Sequence, residues 1–268
     1  MSDAPWIAAV SAVFIWWFST GAILLVVRLA DRVGARAHLW ATLAGLPLLI
    51  GGAALVMTSL DTHTTAGVYA AFVGALAIWG WIELAFLTGM VTGPMRDDCT
   101  PGLTGWARFE RAFGTVAWHE LALVLGLLTL VLASDGAVNR VALATYMVLF
   151  LARICAKLNL FFGVPRINTE FVPARLRHLT TYFRRGPVTA AFPLAITVLT
   201  VLFAVCAERL WTTDVPATAT GFALLTALAG LALLEHWLMV VPLPDAKLWR
   251  WMLPRPNTDA ESETTHGF

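Results

Sequence analysis

Charge is what this chain has least of: Asp, Glu, Lys and Arg make up 13% of its 268 residues, against about 25% in a soluble globular domain. With 59% hydrophobic residues, that scarcity excludes an ordinary water-soluble fold and points to a polytopic membrane protein. Cysteine is also scarce. Cys99, Cys155 and Cys206 are odd in number and lack metal-ligand spacing, which argues against a disulfide framework and a cysteine-based zinc site. There is no Gly-rich phosphate loop, nucleophile elbow or internal repeat. The basic residues are scattered and form no basic face, so a net charge of +1 gives no reason to expect nucleic acid as a partner. Met1 to Trp6 lack the positive n-region of a signal peptide, and the first apolar run is expected to remain as a membrane span.

Long apolar runs are what the chain does have. They cover 6–27, 39–60, 66–92, 109–133, 141–162, 188–207 and 217–241, each long enough to cross the hydrocarbon core of a bilayer as a helix. The expected fold is all-α: one seven-helix transmembrane bundle over 1–253, then a polar, acidic tail over 254–268 that is expected to be disordered. Basic residues set the orientation. Arg28, Arg32 and Arg36 follow the first run, Arg96, Arg108 and Arg111 the third, Arg166, Arg175, Arg177, Arg184 and Arg185 the fifth, and Lys247, Arg250 and Arg255 the seventh. The even-numbered connections hold only Arg140 and Arg209. The positive-inside rule therefore places the N-terminus outside and the C-terminus in the cytoplasm.

In the long connection after the fifth run, Leu176, Leu179, Tyr182 and Phe183 recur at helical spacing, with arginines elsewhere. This predicts a short interfacial helix over 174–185 lying on the cytoplasmic leaflet, either as a plain anchor or as a docking surface for a partner. Trp249 and Trp251, flanking Arg250, read as a further interfacial anchor. Gly89 and Gly93 form a small-xxx-small step at the end of the third run, where two backbones can come close.

Against this background the intramembrane ionisable residues stand out. Counting from the helix ends, Glu83, His119, Glu120, Arg153, Lys157, Asn159, Glu235 and His236 fall in one slab, roughly 12–15 Å from the cytoplasmic ends of four helices. Each charge costs roughly 2.5–3.5 kcal/mol near the centre of a bilayer, so these groups must face one another, water or a ligand. His119 and Glu120 are neighbours, as are Glu235 and His236, and each pair splays by about 100° on a helix. One member of each pair can face a common centre. Three readings stay open at this level. The layer is an internally paired polar core, in which Arg153 and Lys157 neutralise two of the three glutamates. It is a site for a tetrapyrrole such as bacteriochlorophyll or for another lipophilic ligand, with a histidine as axial ligand. Or it is a catalytic centre with one transition metal held by His119, His236, Glu120 and Glu235.

Several stretches occur together in order. They are Ile15-Trp16-Trp17-Phe18-Ser19-Thr20-Gly21; Trp79-Gly80-Trp81-Ile82-Glu83 with Phe86-Leu87-Thr88-Gly89 and Thr92-Gly93-Pro94; and His119-Glu120. Ala156-Lys157-Leu158-Asn159-Leu160 with Gly163-Val164-Pro165, Glu170-Phe171, and Glu235-His236 with Met239 follow. Together, over about Val13 to Trp251, they resemble the PuhE family of anoxygenic phototrophic bacteria. The resemblance implies a multi-pass protein of the bacterial inner, intracytoplasmic membrane, needed for normal build-up of the photosynthetic reaction centre and its core antenna. Its implied partners are subunits of those complexes and the lipid bilayer. This chain departs from the family pattern at Ile82, where the family carries His before the Glu. An assembly factor binding bacteriochlorophyll or a nascent subunit is thus the leading expectation. The competing ones are a membrane metalloenzyme acting on a tetrapyrrole or isoprenoid precursor, and a transporter, for which no matching interrupted segments are present.

Overall fold

The computed structural model describes residues 4–242. Among these, seven helical segments are long and apolar enough to cross a membrane. They are α1 (Pro5–Val33), a crossing shared by α2 (Ala35–Ala44) and α3 (Leu46–Ser59), α4 (Thr65–Leu87), α5 (Gly105–Ala133), α6 (Val141–Phe162), α7 (Ala191–Thr212) and α8 (Pro216–Leu238). The predicted tail over 254–268 and the anchor at Trp249 and Trp251 lie outside the described residues.

Helix α4 is the axis of the bundle. It is buried along most of its length, with α1, α3, α5, α6 and α8 packed around it. Small residues permit the tightest of these contacts. A Cβ on Gly52 of α3 would lie 2.9 Å from the Gly74 carbonyl of α4, and one on Gly74 would lie 2.8 Å from the Gly52 carbonyl. The helices therefore meet backbone to backbone. The hydroxyls of Thr145 in α6 and Thr226 in α8 are buried without a partner. Several others along the spans are satisfied locally: Thr58, Thr129, Thr197 and Thr220 each bond the carbonyl four residues back. That arrangement suits an apolar surrounding, which offers no other partner.

The first span runs on to Val33 instead of 27 and the sixth to Thr212 instead of 207, and two others are broken or cut short by a backbone feature. The second is interrupted at Gly45, because Pro47 in the first turn of α3 has no N–H to continue the ladder of α2. Trp81 donates its indole N–H to the Thr42 carbonyl beside the break, at 3.1 Å. The third span stops at Leu87 rather than at 92. Gly89 takes φ +74°, and the amides of Met90 and Val91 both turn back to the Ala85 carbonyl. This left-handed glycine terminates the helix. The chain then runs beside α5, where the His119 amide donates to the Thr92 carbonyl (2.9 Å) and the Met95 amide to the Gly114 carbonyl (3.1 Å). The predicted step of small residues is thus realised as a seam between an irregular segment and α5. Non-helical backbone is tolerated beside a span when protein satisfies it in this way.

The connection over 163–187 also departs from expectation. Its helical piece, Ala174–Tyr182, is a 3-10 helix, and its apolar side faces the bundle. Leu176 and Leu179 pack with Phe86 and Val116, and Tyr182 is buried. Arginines staple this cap in place. Arg108 donates to the Tyr182 and Phe161 carbonyls, Arg175 to the Ala35 carbonyl, and Arg28 to the Glu170 carbonyl. The odd-numbered connections therefore converge on one end of the bundle, as seven alternating crossings require.

On the cap, burial holds the His178 pKa below its ordinary 6.5, with the Asp98 carboxylate opposing. As pH falls through 6.5 the unfolded chain takes up this proton before the folded one does, so stability is lost on acidification. We expect the thermal midpoint to fall between pH 7 and pH 5.5, with a shallower slope in His178→Gln measured by the same unfolding assay.

Candidate functional site

The polar slab forms around Phe86. From α6, Arg153 Nη2 donates to Glu83 Oε2 at 2.8 Å, and one turn on, Lys157 Nζ bonds Glu120 Oε1. The spacing of four puts both cations on one face of α6, opposite carboxylates from α4 and α5. The Phe86 ring lies beside this lattice, with the Arg153 guanidinium 5.8 Å and the Lys157 ammonium 5.9 Å from its centroid. His119 stacks on the same ring at 4.2 Å and 28°. Its Nε2 lies 3.8 Å from Glu83 Oε1, outside hydrogen-bond range, and neither ring nitrogen has a partner.

Asn159 is fully buried and bonds back to the Cys155 carbonyl at 3.0 Å, apart from the ion pairs. His236 is buried as well, its Nδ1 2.7 Å from the Ala232 carbonyl, which accepts from it. Glu235 makes no hydrogen bond or ion pair among the described residues.

A cavity of about 990 Å³ opens beside these groups, between α1, α4, α5, α6 and the end of α8, with the cap as its floor. Trp16, Trp79, Phe113, Val124 and Phe150 supply its apolar wall. Glu83, Glu120, Arg153, Lys157 and Glu235 supply its polar one. The structure thereby separates the two adjacent pairs found in the sequence. Glu120 and Glu235 line the cavity, whereas His119 and His236 lie outside its wall. Four of the five charges are paired, and Glu235 is left as a single carboxylate exposed to the cavity.

This arrangement bears on the three sequence readings. Paired charges are present. The metal set of His119, His236, Glu120 and Glu235 does not assemble: among the described residues no three His, Cys, Asp or Glu side chains come together in a way that could hold an ion. The splay of adjacent residues on a helix is the physical reason, since it sends the histidines into packing. Axial ligation of a tetrapyrrole by His119 or His236 does not fit the cavity either, because neither imidazole reaches its wall. Three features of the site went unmarked in the sequence. Phe86 is indistinguishable by pattern from core aromatics, the cap's role as cavity floor depends on tertiary docking, and Arg108 looks like one more basic loop residue.

Seven apolar helical segments, one of them the buried central α4, with an open cavity lined mostly by apolar side chains and in part by ion pairs, fit a multi-pass membrane protein. The chain belongs to the family described as "Protein of unknown function (DUF3623)", whose model matches residues 1–260. A relative from Rhodobacter capsulatus, described as "Uncharacterized 30.4 kDa protein in puhA 5'region", is 48% identical over 258 residues, covering 96% of this chain and 94% of the relative. No solved structure matches.

Proposed function

We propose that this protein is an integral membrane assembly factor for the photosynthetic reaction centre and its core antenna, and that its cavity holds a lipophilic molecule during assembly. The observation that carries the reading is the cavity itself, with Glu235 unpaired on its wall. Its size is that of a pocket for one small molecule, and mostly apolar walls with a few convergent polar groups are what such pockets share. An unpaired carboxylate among apolar helices is costly unless something uses it. The occupant therefore combines an apolar body, seated against Trp16, Phe113 and Val124, with a cationic or hydrogen-bond-donating group for Glu235. A bacteriochlorophyll precursor carrying a free hydroxyl or carboxylic acid would sit here through its faces and give that donor to Glu235, without a histidine ligand. Finished bacteriochlorophyll, whose rim offers only carbonyl and ester acceptors, lacks the donor. The photosynthetic setting is supported by the PuhE resemblance and by the relative named for the puhA 5' region.

The test is a deletion strain of a phototrophic host complemented with wild type or Glu235→Leu. Complexes of the reaction centre and core antenna are expected to fall several-fold in the deletion, with free pigment unchanged, and to recover with wild type far better than with Glu235→Leu. Normal complexes in the deletion strain would overturn the assembly role.

A further inference from the structure

A second cavity, of about 230 Å³, lies at the capped end and is separate from the chamber described above. Gly89, Thr92, Arg96, Arg175 and His178 line it. The lining brings two guanidiniums and an imidazole together and holds no carboxylate. Its hydrogen-bonding capacity is largely unspent. Thr92 is 3% exposed, yet its hydroxyl has no partner. His178 Nε2 is also buried without one. Arg96 makes no hydrogen bond or ion pair among the described residues, although Asp97 and Asp98 follow it, and Arg175 commits one nitrogen to the Ala35 carbonyl. A buried hydroxyl left unsatisfied costs about 1–3 kcal/mol, so an unspent set of this kind calls for an acceptor.

The backbone makes room for the same purpose. A Cβ on Gly89 would lie 3.1 Å from both Cβ and Cδ of Arg175, so a glycine here lets the arginine stem cross the end of α4. The position also has meaning. The pocket lies just past the last turn of α4, at the end of a membrane-length span, where lipid headgroups would be within reach, and the positive-inside rule would turn that end to the cytoplasm.

We propose that this pocket binds a phosphate-type oxyanion, supplied either by the headgroup of an anionic phospholipid or by free inorganic phosphate. Guanidinium forks suit phosphate oxygens, and the Thr92 hydroxyl completes the cradle from the α4 side. His178 brings its unpartnered Nε2 to the pocket, and proton uptake by the ring would add a donor for the anion. Burial and Arg96 oppose that uptake, whereas Asp98 and Asp97 favour it.

The experiment uses the full chain in nanodiscs of phosphatidylcholine, titrated with inorganic phosphate and followed by thermal shift. In parallel, native mass spectrometry counts lipids retained from phosphatidylglycerol and phosphatidylcholine mixtures. Arg96→Gln is the main variant, since Arg96 holds nothing in the fold, and Thr92→Val removes the hydroxyl at nearly constant volume. Arg177→Gln, on the same cap but outside the pocket, is the control. Loss of one charge-assisted hydrogen bond is expected to weaken binding roughly tenfold in Arg96→Gln, with the control unchanged. Phosphate stabilisation alone identifies free phosphate as the ligand, and selective retention of phosphatidylglycerol identifies the headgroup. Absence of both, or a response equal in Arg96→Gln and wild type, would overturn the proposal.

Discussion

Replacing Lys157 with Met is expected to destabilise the folded protein by ~3 kcal/mol, because breaking one side of a buried ion pair leaves the other charge stranded. Glu120 is the stranded group. Its side chain is 12% exposed, and Lys157 supplies its only ion-pair partner among the described residues. The methionine preserves most of the volume of the lysine stem, so the loss is electrostatic rather than a packing defect. The double variant Lys157→Met, Glu120→Gln removes both charges together and should recover most of the loss. Unfolding in mild detergent, followed by tryptophan fluorescence, gives the four corners of that cycle. Equal stability of wild type and Lys157→Met would mean that the pair contributes nothing to the fold.

Gly93→Ala is expected to cost at least as much, for a steric reason. The new Cβ would sit 2.1 Å from the Gly114 carbonyl oxygen and 2.6 Å from the Thr115 carbonyl carbon. Both are backbone atoms of α5, which cannot swing aside, so the seam between residues 88–95 and α5 must part. Overpacking of this kind costs ~3 kcal/mol. Gly114→Ala provides the comparison. Its Cβ would meet the Met95 side chain, 2.7 Å away at Sδ. A flexible thioether can move, so the loss should be clearly smaller. Hydrogen exchange at the His119 amide, which is bonded to the Thr92 carbonyl, should rise in Gly93→Ala and stay low in Gly114→Ala. An unchanged melting temperature in Gly93→Ala would contradict the backbone-to-backbone seam.

Most of the fold could be read from the chain because membrane spans follow from length and hydropathy alone. The fifth run, 141–162, coincides with α6. Two of the misreadings fell where a single backbone feature overrides composition. Pro47 splits a run that stays apolar throughout, and Gly89 ends α4 inside an apolar stretch. The helical spacing of Leu176, Leu179 and Tyr182 correctly marked an apolar side, but its partner was the open end of the bundle instead of the leaflet.

For the site, sequence depth was enough to gather Glu83, Glu120, Arg153 and Lys157, which do pair. It could not say which residue of His119-Glu120 or Glu235-His236 turns inward. That depends on helix rotation, and helix rotation is set by packing partners such as Phe86. A histidine stacked on Phe86 and a glutamate on the cavity wall differ by one position in the chain and by about 100° around the axis.

The cavity of about 990 Å³ is proposed to hold a lipophilic molecule. The most direct measurement is made on protein purified in mild detergent from a pigment-producing phototrophic host. Its bound small molecules are extracted and quantified by absorption and mass spectrometry, beside Leu121→Trp, which places a larger side chain on the cavity wall. About one non-membrane-lipid molecule per chain is expected in wild type, with a marked loss in a folded Leu121→Trp. A wild-type protein carrying only the surrounding membrane lipids, at the same level as the filled variant, would contradict it.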